Sequence, residues 1–161
     1  MVGKSLATPA RSASELGEVV LAVQNLSLNP TNPFGTALKD ITFEVRAGEV
    51  LGIGGVAGNG QDELLAALSG EALADPNSVQ LNGQPLGKQG PNARRKLGLL
   101  CAPEERLGHA AAPDMSLIEN ALLTARMRKG LDRHGFVDWA ATRAYAETVI
   151  ASFDVRTPSA R

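Results

Sequence analysis

Only one cysteine, Cys101, occurs in the 161 residues. That excludes an internal disulfide and any Cys-rich zinc site, and it suits a reducing compartment. Aromatics are scarce: four Phe, one Trp and one Tyr are too few for a platform on which nucleic-acid bases stack. Neither sign of charge prevails, with 16 Lys and Arg against 17 Asp and Glu. A general nucleic-acid binder needs a surplus of cations to displace phosphate counterions, so nucleic acid is not an expected partner. No apolar run approaches the roughly 18 residues of a membrane-spanning helix. The opening MVGKSLATPARSASELG has no apolar secretory core. Small, polar and Pro-containing, it reads as a linker over residues 1–18. Ser and Arg without acids before Glu15 leave a transit peptide as the alternative. Any membrane anchor is expected on another chain.

What remains, 43% hydrophobic and 20% charged, is the composition of one soluble globular domain. VVLAVQNLSL at 19–28 is dense in β-branched and aliphatic residues and predicts a strand. After a loop rich in Pro and Asn, Ile41, Phe43 and Val45 alternate with Thr42 and Glu44, the period of a half-buried strand. Beyond a turn at Ala47 and Gly48, VLGIG at 50–54 predicts a buried strand. QDELLAALSG at 61–70 predicts a helix with Leu64, Leu65 and Leu68 on one face and Gly70 as its C-cap. Asn82 and Gly83 between SVQL and QPL predict a hairpin, and LGLLCAP at 97–103 another buried strand. Ser116 and Glu119 form a capping box that opens a helix burying Ile118, Ala121, Leu122 and Ala125. Arg126, Arg128 and Lys129 are charges at its negative end, and Gly130 stops it. A last helix opens near Asp138, with Ala141, Tyr145, Val149 and Phe153 as its apolar stripe.

A strand, a glycine loop and a helix in succession form the arrangement that cradles phosphate, through close backbone amides and a favourable helix dipole. Gly52, Gly54 and Ala57 match the dinucleotide fingerprint, but Gly58-Asn59-Gly60 would interrupt the helix that motif needs, and no acid ends a following strand. The phosphate-loop pattern fits the glycines better: Gly55 and Gly60 have its spacing and Gly58 adds a permissive position. Its lysine slot holds Gln61 and its hydroxyl slot Asp62, which makes the loop two charge units less favourable to an anion. One such unit at about 4 Å and an effective dielectric near 20 is worth roughly 4 kcal/mol before screening. Asp62 and Glu63 also serve a first helical turn simply as acids, and Glu63 is expected to do no more than that. On residue chemistry, phosphate binding and a tight structural turn both stay open.

The order of these motifs resembles a known family. FGTALKDITFEVRAGEVLGIGGVAGNGQDELLAALSG is similar to the first half of an ATP-binding cassette domain, and closest to the second cassette of two-cassette ATPases that drive importers of simple sugars and nucleosides. CAPEERLGHAAAPDMSLIENALL resembles the same group's P-E-D-R segment and the S-V-x-E-N helix start after it. The resemblance implies an α/β, P-loop NTPase-like fold: an antiparallel β subdomain, a phosphate-loop core and the start of a helical subdomain. By position, Gly55, Val56, Ala57, Gly58, Asn59, Gly60, Gln61 and Asp62 would be the phosphate loop. Phe34 would be the aromatic that stacks on adenine, or else a loop aromatic packed on the sheet edge. Glu104 falls near the glutamine of the Q-loop, or else is a solvated acid paired with Arg106. Residues 139–153 would dock on a transmembrane partner or simply form core.

Three departures accompany the resemblance. Asp62 stands where Ser or Thr is usual, Glu105 stands where Asp is usual, and the L-S-G-G signature, the second magnesium carboxylate, the catalytic glutamate and the switch histidine are missing. His109 and His134 lack the context to replace that histidine and read as surface residues. No catalytic or metal-ligating residue is assigned, and the chain alone is expected not to hydrolyse ATP. Its ending RTPSAR reads as a connection and its opening MVGKS as the end of an inter-cassette linker. The expected organisation is therefore a linker at 1–18 and a partial cassette at 19–161. ATP is the implied ligand, with Mg2+ weakly held or not at all. The implied partners are a first cassette of the same polypeptide, transmembrane permease subunits and, indirectly, a periplasmic or lipoprotein solute-binding protein. The implied location is peripheral, on the cytoplasmic face of a bacterial inner membrane. Two other readings stand beside this one: a non-catalytic cassette supporting a partner's active site, and an unrelated α/β domain with a fortuitous glycine turn.

Overall fold

The computed structural model describes residues 15–30, 33–157 and 159–160. Most of the linker expected at 1–18 lies outside them. The sheet forms around β1 (Val19–Leu28), which pairs antiparallel with β2 (Leu38–Arg46) on one edge and β3 (Val79–Leu81) on the other. β3 turns through Asn82 and Gly83, at φ 48° and 75°, into β4 (Gln84–Pro85), giving the order β2-β1-β3-β4. Both turn residues take the positive φ that this tight hairpin demands. Ile41, Phe43 and Val45 of β2 are half-buried while Thr42 and Glu44 are exposed, so the alternation in the sequence sets the inward face.

Helix α1 (Gln61–Ser69) lies against that face. Val23, Leu26, Leu38, Ala67, Ala74, Val79 and Leu86 form the core, and Leu64 and Leu68 pack against it. Leu26 and Leu86 are fully buried, each contributing about 1.5–3 kcal/mol through burial. Leu65, expected on the same helix face, instead lines a separate cavity toward Cys101.

After α1 come α2 (Pro91–Leu97), α3 (Leu117–Lys129), a two-residue ribbon of β5 (Asp132–Arg133) and β6 (Phe136–Val137), and α4 (Trp139–Ser152). The predicted capping box is present: Ser116 N–H donates to Glu119 Oε2 at 2.8 Å, and Glu119 N–H donates to Ser116 Oγ at 3.3 Å. Ile118 and Ala125 are buried on α3, and Asp138 caps α4 through the N–H of Ala141 at 2.9 Å. On α4 the fully covered positions are Thr142 and Ala146, one step along from the expected stripe. Phe153 is 77% exposed at the helix end, where the stripe has rotated off the α3 contact.

Two expected strands are not formed. Residues 50–54 carry no strand, and Val50, Leu51 and Ile53 are 96%, 41% and 55% exposed. The 97–103 stretch begins as the last residue of α2, is capped by Gly98, and has no strand after it. A strand exists only through a ladder to a neighbour, and among the described residues both edges of β1 are already taken and nothing pairs with either stretch. Apolar composition gave both segments the look of core without supplying a partner.

Candidate functional site

The glycine loop joins the 50–54 stretch to α1. Gly58 and Gly60 sit at φ 84° and 98°, where side chains other than glycine's are strained. Gly60 is the N-cap of α1 and is buried; a Cβ there would lie 3.2 Å from Leu38 Cδ2. No side chain caps this helix start. Its first amides and the dipole give this helix start the polarity that favours an anion.

The side chains favour an anion less. Gln61 folds back into the loop: its Nε2 donates to Val56 O at 2.9 Å and its Oε1 accepts the N–H of Asn59 at 3.0 Å. A Cβ on Gly55 would meet that Nε2 at 2.7 Å, so Gly55 leaves room for Gln61. Asp62 is exposed and opens onto a cleft of about 590 Å³ lined by Glu71, Pro103, Glu104, Glu105 and His109. Glu104 thus shares a cleft with the loop helix. The alternative pairing of Glu104 with Arg106 is not found: the ion pairs among the described residues are His109–Glu71 at 3.1 Å, Arg126–Asp132 at 3.1 Å and Arg133–Asp138 at 3.9 Å. The cleft is acidic, and His109 is already engaged by Glu71. Among the described residues no group of three or more His, Cys, Asp or Glu is arranged to hold a metal ion. Asp62 offers the hard oxygen that Mg2+ accepts, without the hydroxyl that usually holds it in such a loop.

Phe34 stands 98% exposed. Two residues on, Thr36 ties its turn to the glycine loop. Thr36 Oγ1 donates to Gly58 O at 2.9 Å, and Thr36 N–H donates to Glu63 Oε1 at 2.8 Å. Glu63 is therefore more than a charge in the first helical turn, and the expectation that it does nothing else is corrected. Neither contact was legible locally, since Glu63 lies 27 residues from Thr36.

The far end of α1 is held by another residue the motifs did not mark. Arg94 of α2 is fully buried, with Nη1 donating to Ala67 O at 2.6 Å and Leu68 O at 2.9 Å. Its Nη2 reaches Leu86 O at 2.8 Å and Gly87 O at 3.5 Å, and its Nε reaches Gln89 O at 2.8 Å. Burial pushes its pKa down, but no carboxylate is needed, because the last carbonyls of α1 present the negative end of the helix. Gly70, at φ 87°, must be glycine here: a Cβ would lie 2.7 Å from Gln89 O and 2.8 Å from Arg94 Nε.

A glycine loop that opens a helix, tethered to a turn that carries an exposed aromatic, accords with the cassette resemblance. Residues 38–153 match the ABC transporter family, and the chain belongs to it. Its mixed fold, an antiparallel sheet with a glycine loop and helices, is that of part of an ABC ATP-binding domain within the P-loop NTPase class. Over nearly its whole length it is similar to import ATP-binding proteins. It is 34% identical over 160 residues to ribose import ATP-binding protein RbsA 1 of Rubrobacter xylanophilus, covering 99% of this chain and 31% of that protein. It is 31% identical over 159 residues to guanosine import ATP-binding protein NupO of Bacillus subtilis, covering 98% and 31%. Identity to nucleoside import ATP-binding protein NupA of Lactococcus lactis is 29% over 157 residues, covering 97% and 31%. The chain thus spans about three tenths of the length of these curated relatives.

Proposed function

We propose that this chain is a partial cassette, residues 19–161, of the ATP-binding component of an importer, and that it seats nucleotide at Gly55–Asp62 with Phe34 against the base. The observation that carries this reading is the tether from Thr36 to Gly58 and Glu63, which joins the turn of the exposed Phe34 to the glycine loop and the first turn of α1. Phosphate would rest on the loop amides and the first turn of α1. Bound Mg2+ would neutralise phosphate charge, and Asp62 is the loop side chain able to face it. Glu104, across the shared cleft, would sense that end of the nucleotide. The names of the relatives support a simple sugar or a nucleoside as the solute. Import names also suit a peripheral setting beside permease subunits and a solute-binding protein; a first cassette in the same polypeptide and the cytoplasmic face of a bacterial inner membrane are further parts of this proposal.

Gln61 and Asp62 favour a second reading within the same class, a cassette that binds nucleotide without turning it over while a partner's site does the chemistry. Phosphoryl transfer requires positioned water, metal ligands and charge stabilisation together. The loop supplies a neutral carboxamide and an acid in place of Lys and a hydroxyl. Calorimetry with Mg-ATP on the 161-residue chain, its Gly60→Val variant and a phosphate-release assay test both readings. Weak binding abolished by Gly60→Val, with no release, is expected. Absence of binding would defeat the nucleotide site, and steady release abolished by the same substitution would defeat the non-catalytic reading.

A further inference from the structure

We infer that Glu63 is a positioning residue for the base, a strut that fixes the Phe34 turn relative to the phosphate loop; this rests on the nucleotide-site reading above. Three contacts define the strut. The Glu63 carboxylate accepts the Thr36 N–H at 2.8 Å, the Thr36 hydroxyl donates to Gly58 O at 2.9 Å, and Gly60 leaves the gap that Leu38 and Thr36 fill, at 3.2 and 3.5 Å from where its Cβ would be. The first bond is charge-assisted, since an ionised acceptor takes a backbone N–H. It starts in the first turn of α1, on the same helix whose N-terminus would face phosphate.

The consequence is a division of labour within one helical turn. In that reading the loop backbone and Asp62 face the phosphate end, while Glu63 Oε1 is committed to Thr36. Thr36 lies two residues from Phe34, so the reach of the Glu63 side chain constrains the turn that carries the exposed ring. A ring held in place can stack on a base at low entropic cost; a ring on an untethered turn must be ordered on each binding event.

Binding of Mg-ATP and of inorganic tripolyphosphate to the 161-residue chain separates the two roles. Glu63→Ala is expected to weaken ATP by about fivefold or more, the scale of one lost base stack, and to leave tripolyphosphate unchanged. Glu63→Gln, which keeps an acceptor at the same reach, retains most of the ATP preference. Phe34→Ala reproduces the loss, and Glu63→Ala combined with Phe34→Ala loses no more than either alone. Hydrogen exchange at the Thr36 amide, faster in Glu63→Ala than in Glu63→Gln, reports the strut without any ligand. Equal weakening of both probes, additive losses, or an unaltered ATP preference with the Thr36 amide exposed would overturn the inference while leaving the nucleotide site standing. If the unsubstituted chain binds neither probe, the nucleotide site fails and the strut's role falls with it.

Discussion

The carboxamide oxygen of Gln61 accepts the N–H of Asn59 at 3.0 Å, so the loop is closed on its own side chain at an amide an anion would otherwise contact. Ligand binding at this loop competes with an internal bond. Gln61→Lys with Asp62→Ser removes that competitor, restores two charge units and adds a hydroxyl. Even after heavy screening, a gain of about 1.4 kcal/mol is tenfold in affinity. Calorimetry with Mg-ATP is expected to show at least that. Unchanged affinity in a folded double variant would mean that the loop is a structural turn.

Arg94→Lys is expected to be destabilising in spite of its retained charge. A lysine cannot fork to carbonyls on two sides, and the carbonyls of Ala67, Leu68, Leu86 and Gln89 lose their donors in a buried setting. The loss is about 3 kcal/mol or more, read as a lower urea midpoint, and is little changed by salt because the site is shielded. A midpoint within error of the parent's would show that water or neighbouring groups replace the guanidinium.

The start of α3 carries a pH dependence of known sign. Hydrogen bonds from the Ser116 hydroxyl and backbone N–H hold the Glu119 carboxyl below the ordinary carboxylate range. The folded state therefore favours the ionised acid. Its contribution is complete above the ordinary carboxylate pKa and is lost as pH falls through the lower, folded value. Glu119→Gln keeps an acceptor for the cap and removes the titration. Amide exchange across residues 117–121 should then respond to acid in the parent and not in the variant; the same response in both would assign it elsewhere.

Cys101 is exposed, yet its thiol is poorly activated. Burial of its surroundings pushes the thiol up, against a smaller pull downward from Arg95. Alkylation by iodoacetamide should be slow at neutral pH and rise with a midpoint above the free-thiol value of about 8.5. Arg95→Gln should slow it further at pH 8. Reaction at the rate of free cysteine at neutral pH would contradict this.

Local chemistry was what the sequence displayed best. The Asn82 and Gly83 turn, the Ser116 and Glu119 box, the Asp138 cap and the glycine stops of α1 and α3 each depend on residues a few positions apart, and all are found. Helix α2 escaped notice because its covered side chain is Arg94, so no apolar periodicity marks it; Pro91 at its start and Gly98 at its end were the available signals. The 50–54 and 97–103 stretches misled for the opposite reason, since apolar content says nothing of which strand will lie alongside. In the site, the glycines of the loop were legible and Phe34 stood open between two surroundings, whereas the Thr36–Glu63 bond joins residues that no motif relates.

The Arg94 contacts also impose an order on assembly. The guanidinium closes a span of 27 residues back to Ala67. Helix α1 can therefore wind as soon as it emerges, but its C-terminal carbonyls stay unmatched until residues 86–94 arrive. At a synthesis rate of about 5–20 residues per second, that interval is on the order of one to five seconds. A nascent chain halted within it would present the glycine loop on a helix whose other end still lacks the donors that Arg94 brings.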